Sequence, residues 1–113
     1  MLAPLRIAAW RTGQAGALVV LTALTTAVAA HAETHVVTIE GMAFTPSSLT
    51  VRRGDTVVWR NKDAVPHTAS ASGRFDSGKI PAGKSWRHAM KKAGSYDYVC
   101  TYHPGMKAAV VVQ

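Results

Sequence analysis

The 113-residue sequence contains one cysteine, Cys100, so no disulfide can form within the chain. Residues 33–113 also lack repeats, low-complexity segments and any stretch with helical periodicity. The chain has 13 lysines and arginines against 6 acidic residues, but no basic run is longer than two residues. A disulfide-stapled domain, a helical domain and a nucleic-acid-binding protein are therefore disfavoured. The positive charge indicates a solvated surface, with a basic face that steers an acidic partner as the alternative.

The first third of the chain has the composition of an export signal. Residues 1–14 carry two arginines and no acid, and residues 15–30 form a short apolar run. Ala30 and Ala32 then give the small residues of a signal peptidase site. The sequence predicts a signal peptide over residues 1–32 and a mature domain over residues 33–113 in the periplasm. An uncut membrane anchor is the alternative, although the run is short for a span and contains three threonines.

The predicted mature domain is small, and small domains often need a metal or disulfides for stability. In an exported protein a lone free thiol is open to oxidation or cross-linking. A metal bound to Cys100 would protect the sulfur and stabilise the fold, so the composition points to a metalloprotein.

Short runs with two-residue periodicity, separated by turn residues, predict an all-β domain. The predicted strands are residues 35–39, 49–51, 56–61, 85–90, 95–100 and 107–112, with a weaker candidate at 75–79. In the strand 95–100, alternation places Tyr96, Tyr98 and Cys100 on one face. The pattern is typical of a single β-sandwich or barrel.

The connection between the last two strands carries three metal-binding side chains at three-residue spacing. Cys100, His103 and Met106 offer a thiolate, an imidazole and a thioether that a short loop can direct to one point. Two histidines and a cysteine with a weak axial methionine define a type 1 copper site. The sequence therefore predicts one copper ion, and a second histidine must come from elsewhere.

His67 is the best candidate for that second histidine. It follows Pro66, which fixes the backbone after the strand 56–61. Thr68 and Thr101 could brace the ligand loops by hydrogen bonds. Taken singly, each ligand has a plainer interpretation: Cys100 and Met106 as core residues and His103 as a surface residue. The other candidate side chains are expected to be structural: His35 and His88 as strand residues, and Met42 and Met90 in the core.

Residues 93–106 resemble the copper loop of the cupredoxins, the type 1 blue copper proteins, and most closely the amicyanin branch of that family. Residues 65–67 are similar to the family's first-histidine loop, and residues 53–59 to the turn and strand before it. The resemblance covers about residues 36–112. It implies a Greek-key β-sandwich with copper at one end and electron transfer in the periplasm.

The sequence departs from the amicyanin pattern at several positions. Thr68 stands where asparagine is usual, Tyr102 replaces a proline, and Gly105 replaces a bulky apolar residue. The stretch between His67 and Cys100 is also shorter. These changes leave copper binding intact, but an amine-dehydrogenase partner cannot be transferred to this chain.

The predicted function is to carry single electrons between redox partner proteins. The docking site is expected around His103, with an apolar patch formed by Val65, Pro66, Tyr102 and Pro104. A copper-binding or delivery protein with the same ligands is the alternative. An enzyme is disfavoured because four protein ligands leave no open position for a substrate. A monomer without stable membrane insertion after signal cleavage is expected.

Overall fold

The computed structural model describes residues 2–5, 13–26 and 31–113, and all its strands lie in residues 31–113. In the described residues there are nine strands and no helix, which confirms the all-β prediction. The strands are β1 (Thr34–Glu40), β2 (Ala43–Thr45), β3 (Ser48–Val51), β4 (Thr56–Asn61), β5 (Ser70–Ala71), β6 (Phe75–Asp76), β7 (Ser85–Ala89), β8 (Gly94–Cys100) and β9 (His103–Val112).

The strands form two sheets, with orders β2-β1-β4-β7 and β3-β9-β8-β5-β6. The chain passes repeatedly from one sheet to the other, and β1–β4 and β3–β9 are parallel pairs. This interlocked order confirms the Greek-key sandwich. It also places β8 and β9 side by side, so the β8–β9 turn lies at one end of the molecule.

Alternation of side chains builds the core between the sheets. From β4, Val57, Trp59 and Asn61 are 0 % exposed, and from β8, Tyr98 and Cys100 are at most 1 % exposed. The Trp59 and Tyr98 rings meet edge to face, with centroids 5.5 Å apart. The same alternation that fills the core therefore directs the Cys100 sulfur inward.

Three sequence-based predictions differ from the structure: the start of the last strand, the length of the strand candidate at 75–79, and the burial of Met42. The last strand begins at His103 rather than residue 107, because Cys100 pairs with His103 across a tight turn. The weak strand at 75–79 is reduced to Phe75–Asp76. Met42 is not a core residue: it is 42 % exposed in a turn with φ of 59°. Met90 is buried, as expected.

Part of the predicted signal peptide, including Ala30 of the predicted cleavage motif, lies outside the described residues. Residues 13–26 contain neither helix nor strand. Among the described residues, no helix has the length and apolarity to cross a membrane.

Asp55 anchors β1 at the end of the sandwich away from the β8–β9 turn. Its carboxylate is buried and accepts hydrogen bonds from the backbone N–H groups of Glu33 and Arg52. His35 Nε2 lies 2.9 Å from the same carboxylate. These donors, the Glu33 N–H first, lower the pKa of Asp55 to about 2. The charged carboxylate is thus stabilised by folding.

Asp55→Asn is expected to lower the stability of the protein at neutral pH. Because the pKa of Asp55 is lower in the folded than in the unfolded chain, its contribution is full above about pH 4 and is lost as pH falls towards about 2. The difference in unfolding midpoint between the two proteins should therefore shrink over that range. Urea unfolding of both copper-free proteins measures it, and a constant difference would contradict this role.

Candidate metal centre

Three of the predicted ligands come together at the β8–β9 end of the sandwich. Cys100 Sγ lies 3.6 Å from Nδ1 of His67 and 3.7 Å from Nδ1 of His103. All three donor atoms lie within 4.8 Å of one another. The structure therefore brings together residues separated by 33 positions in the sequence.

The spacing of these donors fits one shared ion. Bonds from nitrogen and sulfur to a late first-row metal ion are about 2.0–2.3 Å long, so near-trigonal angles separate the two donors by roughly 3.6–3.8 Å. The observed sulfur–nitrogen distances of 3.6 and 3.7 Å agree with this range. A soft thiolate with two imidazoles is the donor composition of type 1 copper.

Asn61 holds the loop that presents His67. Its buried amide donates from Nδ2 to the carbonyls of Val65 and Ile80 at 2.8 and 3.0 Å. His67 and Ile80 also exchange two backbone hydrogen bonds, at 3.1 and 2.7 Å. The His67 backbone is therefore tied to its surroundings on both sides, and its side chain is 0 % exposed.

Asp63 orients the His67 ring. Its Oδ2 lies 2.8 Å from His67 Nε2, which leaves Nδ1 directed at the Cys100 sulfur. The carboxylate also accepts the backbone N–H groups of Met42 and Gly41, at 3.0 and 2.7 Å. The hydrogen bond from the Met42 N–H, followed by those from Gly41 and His67, lowers the pKa of Asp63. Burial acts in the opposite direction but is the weaker influence. A charged carboxylate on the far nitrogen fixes the ring tautomer and makes the imidazole a better ligand.

Thr68 braces Cys100 and the β8–β9 turn, which confirms the bracing expected for it. Its backbone N–H donates to Cys100 Sγ at 3.4 Å. Its hydroxyl oxygen accepts the Thr101 backbone N–H at 2.9 Å and lies 3.1 Å from the Thr101 hydroxyl. A threonine hydroxyl thus makes the link between the two ligand loops in this chain.

His103 and Met106 complete the β8–β9 region. His103 is partly exposed, in contrast to the fully buried His67 and Cys100. Met106 is 6 % exposed and begins the inward-facing series of β9. Its burial suits a weak axial ligand, and that role remains a prediction.

Sequence reasoning missed Asn61 and Asp63. A signal was present, since an acid four residues before a candidate histidine in a short loop can reach its far nitrogen. What the sequence does not reveal is that Gly41 and Met42 approach the same carboxylate from another loop. Of the other histidines, His35 lies on β1 and His88 on β7, as expected.

Asp63→Asn is expected to weaken copper binding by roughly 10–100-fold, because a partner that orients a ligating histidine contributes about that much. Competition with a chelator of known affinity measures the change. Asp97→Asn is the matched control, since Asp97 is exposed on β8 and the substitution removes the same charge. Equal losses in both variants would show that net charge, not ring orientation, matters.

Together the fold and the site define a small β-sandwich protein with a buried metal centre of type 1 copper composition. Comparison with known proteins agrees. The cupredoxin-like domain family matches residues 14–112, and the chain belongs to this family.

Amicyanins are among its relatives. The chain is 32 % identical to amicyanin of Paracoccus versutus over 88 residues, covering 73 % of this chain and 67 % of that protein. It is 38 % identical to amicyanin of Paracoccus denitrificans over 88 residues, covering 69 % and 64 %. A solved Cu(I) form of an amicyanin mutant superimposes with a TM-score of 0.69 at 31 % identity, covering 74 % of this chain and 86 % of that one.

Proposed function

We propose that this protein is a periplasmic type 1 copper protein that carries single electrons between redox partners. The observation that carries the proposal is the convergence of His67, Cys100 and His103 within 4.8 Å at one end of a β-sandwich. Met106 is the proposed fourth ligand. Bound copper supplies one-electron chemistry by cycling between Cu(I) and Cu(II).

The protein's contribution is to hold the ligands nearly still in both redox states. Asp63 fixes the His67 ring, and the Thr68 backbone N–H fixes the Cys100 sulfur. The Thr68 hydroxyl ties the turn that carries His103 to the His67 loop. Ligands held by such hydrogen bonds have little freedom to rearrange when the charge of the site changes by one.

The partly exposed His103 ring is the proposed port for electrons. Each ligand loop carries an exposed apolar side chain close in sequence to its histidine: Val65, 43 % exposed, lies two residues before His67, and Tyr102, 49 % exposed, lies next to His103. Pro66 and Pro104 are exposed as well. A small apolar patch of this kind suits brief contacts with a redox partner, which must dissociate after each transfer.

Copper delivery with the same ligands is the second candidate, and the partly exposed position of His103 is the observation in its favour. An enzymatic role is disfavoured, since four protein ligands leave no open position for a substrate. The carrier and the delivery protein differ in one measurable property, which is retention of copper.

Repeated reduction and reoxidation in the presence of a Cu(I) chelator tests the proposal. A carrier should retain its copper through many cycles, because the ligands stay in place in both oxidation states. Copper content after each cycle is measured by atomic absorption. Progressive transfer of copper to the chelator on reduction would favour delivery instead.

We also propose that residues 1–32 are a signal peptide and that the mature protein begins at Glu33. In the structure Leu18, Leu21 and Leu24 are 88, 87 and 87 % exposed, so these three leucines do not pack on the sandwich. Mass spectrometry of the exported protein should give a chain of residues 33–113. Recovery of the uncut chain in the membrane fraction would favour an anchor.

A further inference from the structure

A cleft lies beside the first residues of β8, at the end of that strand away from Cys100. Its walls come from the β5–β6 turn with Arg74, from the end of β7 and the turn after it, and from Tyr96. It is open to solvent and has a volume of about 670 Å³. Six strand steps of about 3.3 Å put the start of β8 roughly 20 Å from Cys100. The cleft is therefore separate from the metal centre.

The charges that line this cleft are all positive. Arg74, Lys91 and Lys92 are exposed along it, and no carboxylate is among its lining residues. Across the described residues, no lysine or arginine has a carboxylate oxygen within 4.0 Å, since the ion pairs found there all involve histidine. Asp55 and Asp63 turn their oxygens to backbone N–H groups instead. The three cations of the cleft thus face solvent uncompensated.

Tyr96 holds the two walls of the cleft together. The Arg74 guanidinium lies 4.8 Å from the centre of the Tyr96 ring, and the Tyr96 hydroxyl donates to the Lys92 carbonyl. His88 lines the wall formed by the end of β7. Its ring stacks on Trp86, with an interplanar angle of 15° and ring centroids 5.3 Å apart. Burial, followed by the charge of Lys91, lowers the pKa of His88. The cleft is therefore a shaped surface with an aromatic floor and cations on both walls.

We propose that this cleft binds an acidic segment of a partner protein, with carboxylates pairing with Arg74 on one wall and with Lys91 and Lys92 on the other. A concave surface with cations on facing walls suits a peptide segment, because a segment can enter the cleft. A flat anionic membrane cannot enter it and would instead need a convex basic face. A partner held here leaves the His103 edge open. The protein can then remain tethered to one partner while a second contacts the metal centre.

Binding of a fluorescent oligo-glutamate peptide to the copper-loaded protein tests this proposal. Replacing Arg74, Lys91 and Lys92 together by glutamine should weaken binding by about tenfold, as expected for the loss of three exposed ion pairs. The matched control replaces Lys79, Lys84 and Arg87, which are exposed and lie outside the cleft. The control should change the dissociation constant little. Binding should also weaken as salt is added.

Equal weakening in both triple variants would overturn the proposal, since net charge alone would then explain binding. Absence of peptide binding at low salt would overturn it too, as would cleft-dependent binding to anionic lipid vesicles without peptide binding. NMR of the unmodified protein gives an independent measurement. Peptide addition should shift the amide signals of residues 73–74 and 91–96, and shifts confined to residues 101–106 would contradict the proposal.

Discussion

Cys100→Ser should abolish the intense visible absorption of the Cu(II)-loaded protein. That absorption arises from charge transfer between a thiolate and copper, and Cys100 is the only thiol in the chain. Serine is nearly isosteric, and the Thr68 N–H that now donates to sulfur could donate to its hydroxyl. His67 and His103 would still bind Cu(II), so the variant should retain weak copper affinity without the strong band.

Ser95→Ala is a suitable control for this substitution, since Ser95 is exposed on the same strand. The absorption spectrum of this control should match that of the unsubstituted protein. Circular dichroism of the Cys100→Ser protein should show an intact β-sandwich. If the folded variant keeps the strong visible band, the assignment of Cys100 as a copper ligand is wrong.

Copper loading should raise the melting temperature by a large amount. A ligand that binds only the folded state, at about a thousand times its dissociation constant, adds about 4 kcal/mol of stability. For a domain of 60–100 residues, that corresponds to roughly 15–30 °C. The physical reason is that the ion would join the end of β8 and the start of β9 to the loop after β4. Hydrogen bonds from Thr68 to Cys100 and Thr101 already link that loop to this end of the sandwich.

Differential scanning calorimetry of the copper-free and copper-loaded proteins measures this shift. The Asp63→Asn protein, with weaker binding, should show a smaller shift at the same copper concentration. Equal melting temperatures with and without copper would show that the metal does not stabilise the fold.

Much of the fold could be predicted from local pattern. Alternation in β8 predicted that Tyr96, Tyr98 and Cys100 share one face, and all three are buried in the structure. Short elements were harder, because a two-residue strand such as Ser70–Ala71 leaves almost no periodicity to detect. The exposure of Met42 was not predicted, because its hydrophobic side chain suggested the core. In the structure Met42 lies in a tight turn with positive φ, and its side chain is 42 % exposed.

At the candidate site, the ligands could be predicted from the sequence, but the residues that position them could not. Cys100, His103 and Met106 are close in sequence, so their spacing alone suggested a common metal centre. The position of His67 directly after Pro66 indicated that it was the second histidine ligand. The residues that position them depend on loops meeting in space. The Asp63 carboxylate is held in place by the N–H groups of Gly41 and Met42, and Asn61 holds the carbonyls of Val65 and Ile80. Neither set of contacts is visible in a linear sequence.

Voltammetry of the copper-loaded protein tests the central claim most directly, since an electron carrier must exchange one electron reversibly without losing its metal. The predicted result is a reversible one-electron wave whose size stays constant over repeated scans, accompanied by loss and full return of the visible band. A wave that is absent, irreversible or diminishing with each scan would contradict the assignment of this protein as an electron carrier.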